Sequence, residues 1–68
     1  MEIEKHIQVT GTSTLSWKDA IVKTVEEVSK SISNVTAVRV LDQRAKVVTS
    51  KMTEYYVDLD IVFMVTAK

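Results

Sequence analysis

The chain has 68 residues, and its nine lysines and arginines balance nine aspartates and glutamates, so the formal net charge is zero. It contains no cysteine, which excludes disulfides, thiolate zinc sites and thiol nucleophiles. The charge balance also argues against nucleic acid and anionic membranes as partners, because both select a basic surface.

The length predicts a single domain over residues 1–68. At this size a folded monomer buries only about 60% of the surface that its unfolded chain exposes, so self-association is the expected source of further stability. No apolar run approaches the roughly 20 residues that span a bilayer, and the acidic start lacks the basic and apolar regions of a signal peptide. We therefore predict a cytoplasmic protein with no membrane partner.

The first ten residues alternate between apolar and polar side chains, which predicts a half-buried strand. Gly11, the only glycine in a chain without proline, is predicted to open a loop that runs through Leu15. Ser16 and Asp19 have the spacing of a capping box, so a helix is predicted to begin near Trp17. Its apolar side chains recur at helical spacing, and they are Trp17, Ala20, Ile21, Val25, Val28 and Ile32.

Two β-rich runs follow the helix, whose predicted exit is Asn34. Residues 35–48 are predicted to form a strand with a bulge or bend in the charged patch 42–46. After a polar break at 49–51, the run from Met52 to Ala67 alternates cleanly. Its odd-numbered side chains, here called the helix face, are Tyr55, Val57, Leu59, Ile61, Phe63 and Val65. Its even-numbered side chains, here called the open face, are Glu54, Tyr56, Asp58, Asp60, Val62 and Met64.

The predicted element order is β-α-β-β. The helical crossover leaves the first two strands running the same way, and the hairpin makes the third antiparallel to the second. The third strand can therefore lie in the centre and pair with both. We predict an α+β fold in which a three-stranded antiparallel sheet wraps around one helix, with the helix face of the third strand against that helix. The open face then has no cover within one chain, which favours assembly.

Several segments, in the same order over nearly the whole chain, carry a family resemblance. They are Thr10-Gly11-Thr12-Ser13, Ser16-Trp17-Lys18-Asp19-Ala20, Asn34 and the closing run from Tyr55 to Phe63. Together they resemble the dodecins, a family of small β-α-β-β proteins that form hollow homododecamers. The resemblance implies a homododecamer here.

The best-known dodecins bind flavins, with a tryptophan on the second strand stacking the rings and a glutamine on the third strand bonding their edge. The positions equivalent to these residues are Ala37 and Tyr56, so both are substituted. A stacking platform contributes about 1–3 kcal/mol per ring, judged from base–aromatic stacking, and tyrosine lacks the paired donor and acceptor of an amide. We expect weak or absent flavin binding. The chain resembles more closely the branch of the family described as calcium dodecins.

Three acidic side chains, Glu54, Asp58 and Asp60, share the open face. Neighbours at two-residue spacing lie about 6.6–6.8 Å apart on a strand. Calcium takes about six to eight oxygen ligands, which strands gathered around a symmetry axis could supply, so these residues are the candidate metal ligands. The alternative is that they pair with Arg39 and with lysines of neighbouring strands, or face a hydrated cavity. His6, the single histidine, is expected to be an exposed strand residue.

Together with the family resemblance, which implies the dodecamer, these observations predict a non-enzymatic assembly that binds or stores a small ion or ligand, with calcium as the expected cation. The alternatives are a flavin-storage dodecin with an altered pocket and a structural assembly without a ligand. An enzyme is disfavoured because one histidine and no cysteine give little basis for a nucleophile with its base. An adaptor whose strand edges recruit peptides is the remaining class.

Overall fold

The structure, a computed structural model, describes residues 1–66. The elements are β1 (Glu2–Ser13), α1 (Trp17–Ser31), β2 (Val35–Val48) and β3 (Lys51–Thr66). The predicted fold is confirmed, because the three strands form one antiparallel sheet in the order β1-β3-β2. The predicted third strand ended at Ala67, which lies outside the described residues. Within residues 1–66, no helix has the length and apolar character needed to cross a bilayer.

Strand β3 pairs with both neighbours along most of its length. Its partners on β1 run from Glu2, opposite Thr66, to Ser13, opposite Tyr55. Its pairing with β2 is interrupted by register shifts at Val35/Ala37, Val40/Asp42 and Lys46/Val47. Two of these shifts flank the charged patch 42–46, so β2 is irregular as predicted, but at the two ends of the patch and not within it.

The core lies between the helix face of β3 and α1. Val57, Leu59 and Ile61 are fully buried against Ala20 of the helix. Partly buried side chains surround this cluster, and they are Ile7, Val9, Trp17, Ile21, Val25, Val28 and Val35. The apolar stripe predicted for the helix therefore packs on the sheet as expected from its spacing, except for Ile32, which is the C-cap and lies outside this cluster.

Gly11 does not open a loop as the sequence predicted. It lies inside β1, opposite Val57, and the strand continues to Ser13. A Cβ atom at position 11 would overlap the Thr24 hydroxyl and lie 3.2 Å from the Ala20 carbonyl oxygen. Gly11 is therefore needed where β1 and α1 approach each other closely, and its φ angle is not positive.

The helix start follows half of the predicted capping box. The Ser16 hydroxyl oxygen accepts a hydrogen bond from the Asp19 N–H at 3.0 Å, so Ser16 is the N-cap. The Asp19 carboxylate does not return to Ser16. It accepts from the Ser13 hydroxyl at 2.6 Å and lies 3.2 Å from Lys23 Nζ. The Ser13 hydrogen bond, assisted by Lys23, lowers the pKa of Asp19. The end of β1 is thereby tied to the first turn of α1.

The connection from α1 to β2 and the connection from β2 to β3 both contain residues in the left-handed backbone conformation. Asn34 has φ 61° and lies beyond the helix, which ends at Ser31 with Ile32 as its C-cap. Thr49 and Ser50 have φ 50° and 62°, and they form the turn between β2 and β3. Two consecutive positive φ angles give the twist that a tight β-hairpin requires, and here they are adopted without glycine.

The open face is less bare than the sequence predicted. Asp60 is 5% exposed and Val62 is 7% exposed within the single chain. Gln8 of β1 and Arg39 of β2 lie opposite Asp60, while His6 lies opposite Val62. Because β3 is central, side chains of both edge strands cover the middle of its open face.

Candidate functional site

The centre of the candidate site is Asp58, in the middle of the open face. Its Oδ1 accepts a hydrogen bond from the Thr10 hydroxyl at 2.8 Å and lies 3.1 Å from Arg44 Nη2. These bonds, Thr10 first and Arg44 second, lower the pKa of Asp58. Its side chain is 30% exposed. Asp58 is thus an ionised carboxylate, and both of its bonds within residues 1–66 reach the same oxygen atom.

Arg44 connects Asp58 to the rest of the open face. Its guanidinium carbon lies 5.3 Å from the centroid of the Tyr56 ring, at the distance of a cation–π contact. The Tyr56 hydroxyl donates to Glu54 Oε2 at 2.6 Å, and this bond, followed by burial, raises the pKa of Tyr56. A continuous polar chain therefore runs from Thr10 through Asp58, Arg44 and Tyr56 to Glu54.

Trp17 fixes the backbone that carries Arg44. Its indole N–H donates to the Arg44 carbonyl oxygen at 2.9 Å, and its ring meets Tyr55 edge to face at 5.0 Å between centroids. Trp17 therefore anchors the start of the helix to the sheet.

Asp60 has a different surrounding from Asp58. Its Oδ2 lies 2.7 Å from His6 Nδ1, on the edge strand β1. The Asp60 hydrogen bond raises the pKa of His6, with burial of the ring acting in the opposite sense. Glu4, whose Oε1 lies 3.8 Å from His6 Nε2, also raises this pKa. Asp60 therefore has a cationic or hydrogen-bonded partner within its own chain.

The sequence analysis gave pairing of the acids with Arg39 and lysines as the alternative to a metal site. Two of the acids do pair with basic side chains, but the partners are different ones. Arg39 lies opposite Asp60 in the register, but no ion pair joins them within residues 1–66. The partners are Arg44 for Asp58 and His6 for Asp60. His6 is exposed as predicted, with 48% of its side chain accessible, and its bond to Asp60 was not foreseen.

The geometry does not close a metal site within one chain. In the described part of the chain, no group of three or more histidine, aspartate or glutamate residues is arranged to hold a metal ion. Glu54 and Asp58 are four residues apart on one strand, a separation of about 13 Å. A calcium ion at Asp58 would therefore need oxygen ligands from water or from further copies of the chain.

The two flavin-equivalent positions are also separated. Ala37 lies opposite Val62, and Tyr56 lies opposite Arg44, both on the open face. Val62 and Tyr56 are six residues apart on β3, so positions 37 and 56 are about 20 Å apart along the sheet. Ala37 offers no ring for stacking, and the Tyr56 hydroxyl is bonded to Glu54.

An open cavity of about 430 Å³ adjoins Asp58. It is lined by Gln8, Val9, Thr10, Leu41, Asp58 and Leu59. The cavity coincides with the register shift after Val40, where Leu41 is the extra residue of β2. The space leaves room for a hydrated ion beside the exposed part of the Asp58 carboxylate.

Sequence reasoning identified the acids and missed Thr10, Arg44 and His6, which bond them. A signal existed for Thr10, because strict alternation places it on the same face as His6 and Gln8. Arg44 could not be assigned, since the bulge at Leu41 decides which side chains of β2 reach the open face.

Comparisons with known proteins all point to the same family. Residues 3–66 match the family described as Dodecin. Calcium dodecin of Mycobacterium tuberculosis is 29% identical over 63 residues, which span 93% of this chain and 89% of that protein. Its crystal structure, described as a calcium-chelating antigen with a novel calcium-binding site, has a TM-score of 0.79 at 28% identity and covers 90% of this chain and 87% of that one. Dodecin from Streptomyces coelicolor shares the fold at a TM-score of 0.91 and 18% identity, covering 98% of this chain and 96% of that one. The β-α-β-β sheet around one helix and the match over residues 3–66 together show that this chain belongs to the dodecin family.

Proposed function

We propose that this protein is a non-enzymatic homododecamer that binds divalent cations, calcium first, through carboxylates of the open face. The observation that carries the proposal is the state of Asp58. It is an ionised, partly exposed carboxylate beside an open cavity, and Thr10 and Arg44 hold one of its oxygens in place. Carboxylate oxygen is the ligand that calcium prefers, and the chain has no thiolate to favour a softer metal.

The similarity to calcium dodecin supports the choice of cation. That relative is 29% identical and aligns with 93% of this chain. The proposal takes Asp58 and Glu54 as ligands. The assignment of Asp60 as a third ligand stays a prediction, and its 5% exposure behind His6 gives it less access to an ion than Asp58 has.

The same geometry favours assembly. One chain supplies a single accessible carboxylate near the cavity, so the remaining oxygens come from symmetry-related copies or from water. The edge strands β1 and β2 also expose apolar side chains, including Ile3, Val38 and Val40, that a second copy could cover. Twelve copies of the 7.7 kDa chain have a mass of about 92 kDa.

Flavin storage has less support from the open face. Position 37 is alanine, and the Tyr56 ring lies against the Arg44 guanidinium. Under the proposal, flavin quenching by the wild-type protein is weak. Ala37→Trp combined with Tyr56→Gln is expected to strengthen that quenching if these positions correspond to the flavin site.

Isothermal calorimetry of the chelator-stripped assembly with calcium tests the proposal. We expect a saturable heat for the wild type and an upward shift of the melting temperature as calcium is added, because a ligand that binds only the folded state stabilises it. Asp58→Asn keeps the shape of the side chain and is expected to remove most of both effects. Glu26→Gln, on the exposed side of α1, removes one negative charge elsewhere and is the matched control.

Native mass spectrometry of the same samples separates assembly from binding. A flat calorimetric trace for a wild-type dodecamer at millimolar calcium would reject the cation and leave the assembly standing. A folded monomer at micromolar concentration would reject the assembly. Equal calcium binding by wild type and Asp58→Asn would reject the assigned ligand.

A further inference from the structure

Glu4, His6 and Asp60 form a second polar group of the open face, and neither Glu4 nor His6 is a ligand of the proposed calcium site. Its geometry begins with Asp60, which is almost completely buried on the central strand. Its Oδ2 lies 2.7 Å from His6 Nδ1. A carboxylate can only accept a hydrogen bond, so Nδ1 carries the proton. In the neutral ring, Nε2 is then the unprotonated nitrogen with a free lone pair.

The free nitrogen faces a second acceptor. Glu4 lies two residues before His6 on β1, so both side chains project from the same face of an edge strand. Glu4 Oε1 lies 3.8 Å from His6 Nε2. Two acceptors at this separation are stabilised by a positive charge between them, supplied by a proton on Nε2 or by a metal ion. Both side chains are open to solvent, at 48% for His6 and 60% for Glu4, which leaves space for the ion and its waters.

The separation between Glu4 Oε1 and His6 Nε2 is close to the distance between two ligand atoms bound to one transition-metal ion. Zinc binds imidazole nitrogen and carboxylate oxygen at about 2.0–2.2 Å, which places two ligand atoms of a tetrahedral site about 3.4 Å apart. A small rotation of the exposed Glu4 side chain closes the 3.8 Å gap to this value. Imidazole suits zinc, copper and nickel, whereas calcium takes oxygen ligands, so the group selects a different class of cation from Asp58.

We propose that Glu4 and His6 form a two-residue chelate for a divalent transition-metal ion of the zinc and copper class, with Asp60 as the positioning residue behind the imidazole. A buried carboxylate that accepts the second ring N–H fixes the ring orientation and raises the basicity of a metal-bound histidine. Water fills the other coordination positions in a single chain. Because β1 is an edge strand, a second copy is also able to supply ligands there.

Titration of the full-length protein with Cu²⁺ at one fixed pH tests the chelate, because copper gives the tightest binding in the divalent series and a spectroscopic signal. The N-terminal amine is blocked by acetylation so that it does not bind copper. We expect visible absorbance that saturates at one ion per chain, and nitrogen hyperfine splitting in the electron paramagnetic resonance spectrum. Glu4→Gln and His6→Gln each remove a ligand and are expected to weaken binding at least tenfold. His6→Gln also removes the nitrogen splitting.

Glu2→Gln is the matched control. Glu2 lies on the same strand and the same face, one alternation further from His6, and its substitution removes the same charge. It is expected to leave copper affinity unchanged. Equal affinities for wild type, Glu4→Gln and His6→Gln would overturn the proposal by showing that copper binds elsewhere.

Asp60→Asn tests the positioning role. A loss of about 10–100-fold in copper affinity is expected for an outer-shell partner. Nitrogen chemical shifts of the metal-free imidazole give a readout that a purely structural role would not move. They are expected to change from one tautomer in the wild type to a mixture in Asp60→Asn. An unchanged tautomer and unchanged affinity would remove Asp60 from the proposal.

The calcium site and the transition-metal chelate can be rejected independently of each other. Asp58→Asn is expected to remove most of the calcium heat and leave copper affinity unchanged, while His6→Gln is expected to weaken copper binding at least tenfold and leave the calcium heat unchanged. Copper binding lost in Asp58→Asn would contradict a separate chelate.

Discussion

The two faces of β3 share one backbone and are stabilised in different ways. On the helix face, Val57, Leu59 and Ile61 are fully buried against α1, and their contribution is removal of apolar surface from water. On the open face, Asp58 and Asp60 are bonded to polar side chains of the edge strands. The helix face therefore accounts for the stability of the fold, and the open face holds the charged groups available to ligands.

This comparison predicts that substitutions on the helix face cost most. Leu59→Ala deletes a fully buried side chain and is expected to lower the free energy of unfolding by about 2–5 kcal/mol. Met64→Ala, on the half-buried open face, is expected to cost clearly less. Denaturant unfolding at one fixed protein concentration gives both values, since oligomerisation makes stability depend on concentration. Equal losses would show that assembly buries the open face as tightly as α1 buries the helix face.

Gly11→Ala tests the closest contact on the helix face. The added Cβ overlaps the Thr24 hydroxyl and lies 3.2 Å from the Ala20 carbonyl oxygen, so the Thr24 side chain must rotate or α1 must move away from β1, and a loss of about 1–3 kcal/mol is expected. Thr24→Ala removes the overlapping hydroxyl at the cost of its bond to the Ala20 carbonyl oxygen. The stability loss of the double variant is expected to be smaller than the sum of the losses of the two single variants. Strict additivity would mean that the cost of Gly11→Ala arises elsewhere.

Substitutions at the junction between β1 and α1 are expected to have an intermediate effect. Ser16→Ala removes the N-cap hydrogen bond to the Asp19 N–H and is expected to cost about 1 kcal/mol. Thermal unfolding measures this loss. Thr14→Ala, in the exposed loop before the cap, is the matched control with little expected effect.

The same junction predicts a pH dependence. The pKa of Asp19 is lowered in the folded protein by the Ser13 hydroxyl and Lys23, so the unfolded state binds its proton first as pH falls. The stabilisation is therefore complete above the unfolded pKa, near 3.8, and is lost as pH falls through the lower folded value. The stability difference between wild type and Asp19→Asn is expected to shrink in that acidic range. A difference that stays constant down to pH 2 would contradict this assignment.

The helix face was more predictable from the sequence than the open face. Strict alternation in β3 and helical spacing in α1 fix which side chains meet, so the core followed from the pattern. The central position of β3 followed from the helical crossover and the hairpin. Gly11 was misplaced because glycine allows both a turn and a close approach of two elements, and only the position of Thr24 decides between them.

Partners on the open face depend on register, which the pattern does not give. His6 lies opposite Val62 and reaches diagonally to Asp60, two residues along β3. Arg44 reaches Asp58 because the shift at Leu41 moves the rest of β2 by one residue. The acids could be identified from the sequence because they lie on the regular strand, whereas their partners could be identified only from the pairing.

The smallest expected effect concerns the Arg44–Asp58 ion pair, and it is the sharpest test of the division between the two faces. Both side chains are partly exposed, at 52% and 30%, so solvent screens their attraction. A double-mutant cycle of Arg44→Gln and Asp58→Asn in chelator-containing buffer is expected to give a coupling of about 0.2–1 kcal/mol that falls as salt is added. If the cycle instead gives several kcal/mol at high salt, the pair is desolvated in the assembled protein and contributes to stability as the helix face does. A small coupling would show that the pair adds little to stability and serves to orient Asp58, whose second carboxylate oxygen stays available to a cation as the proposed calcium site requires.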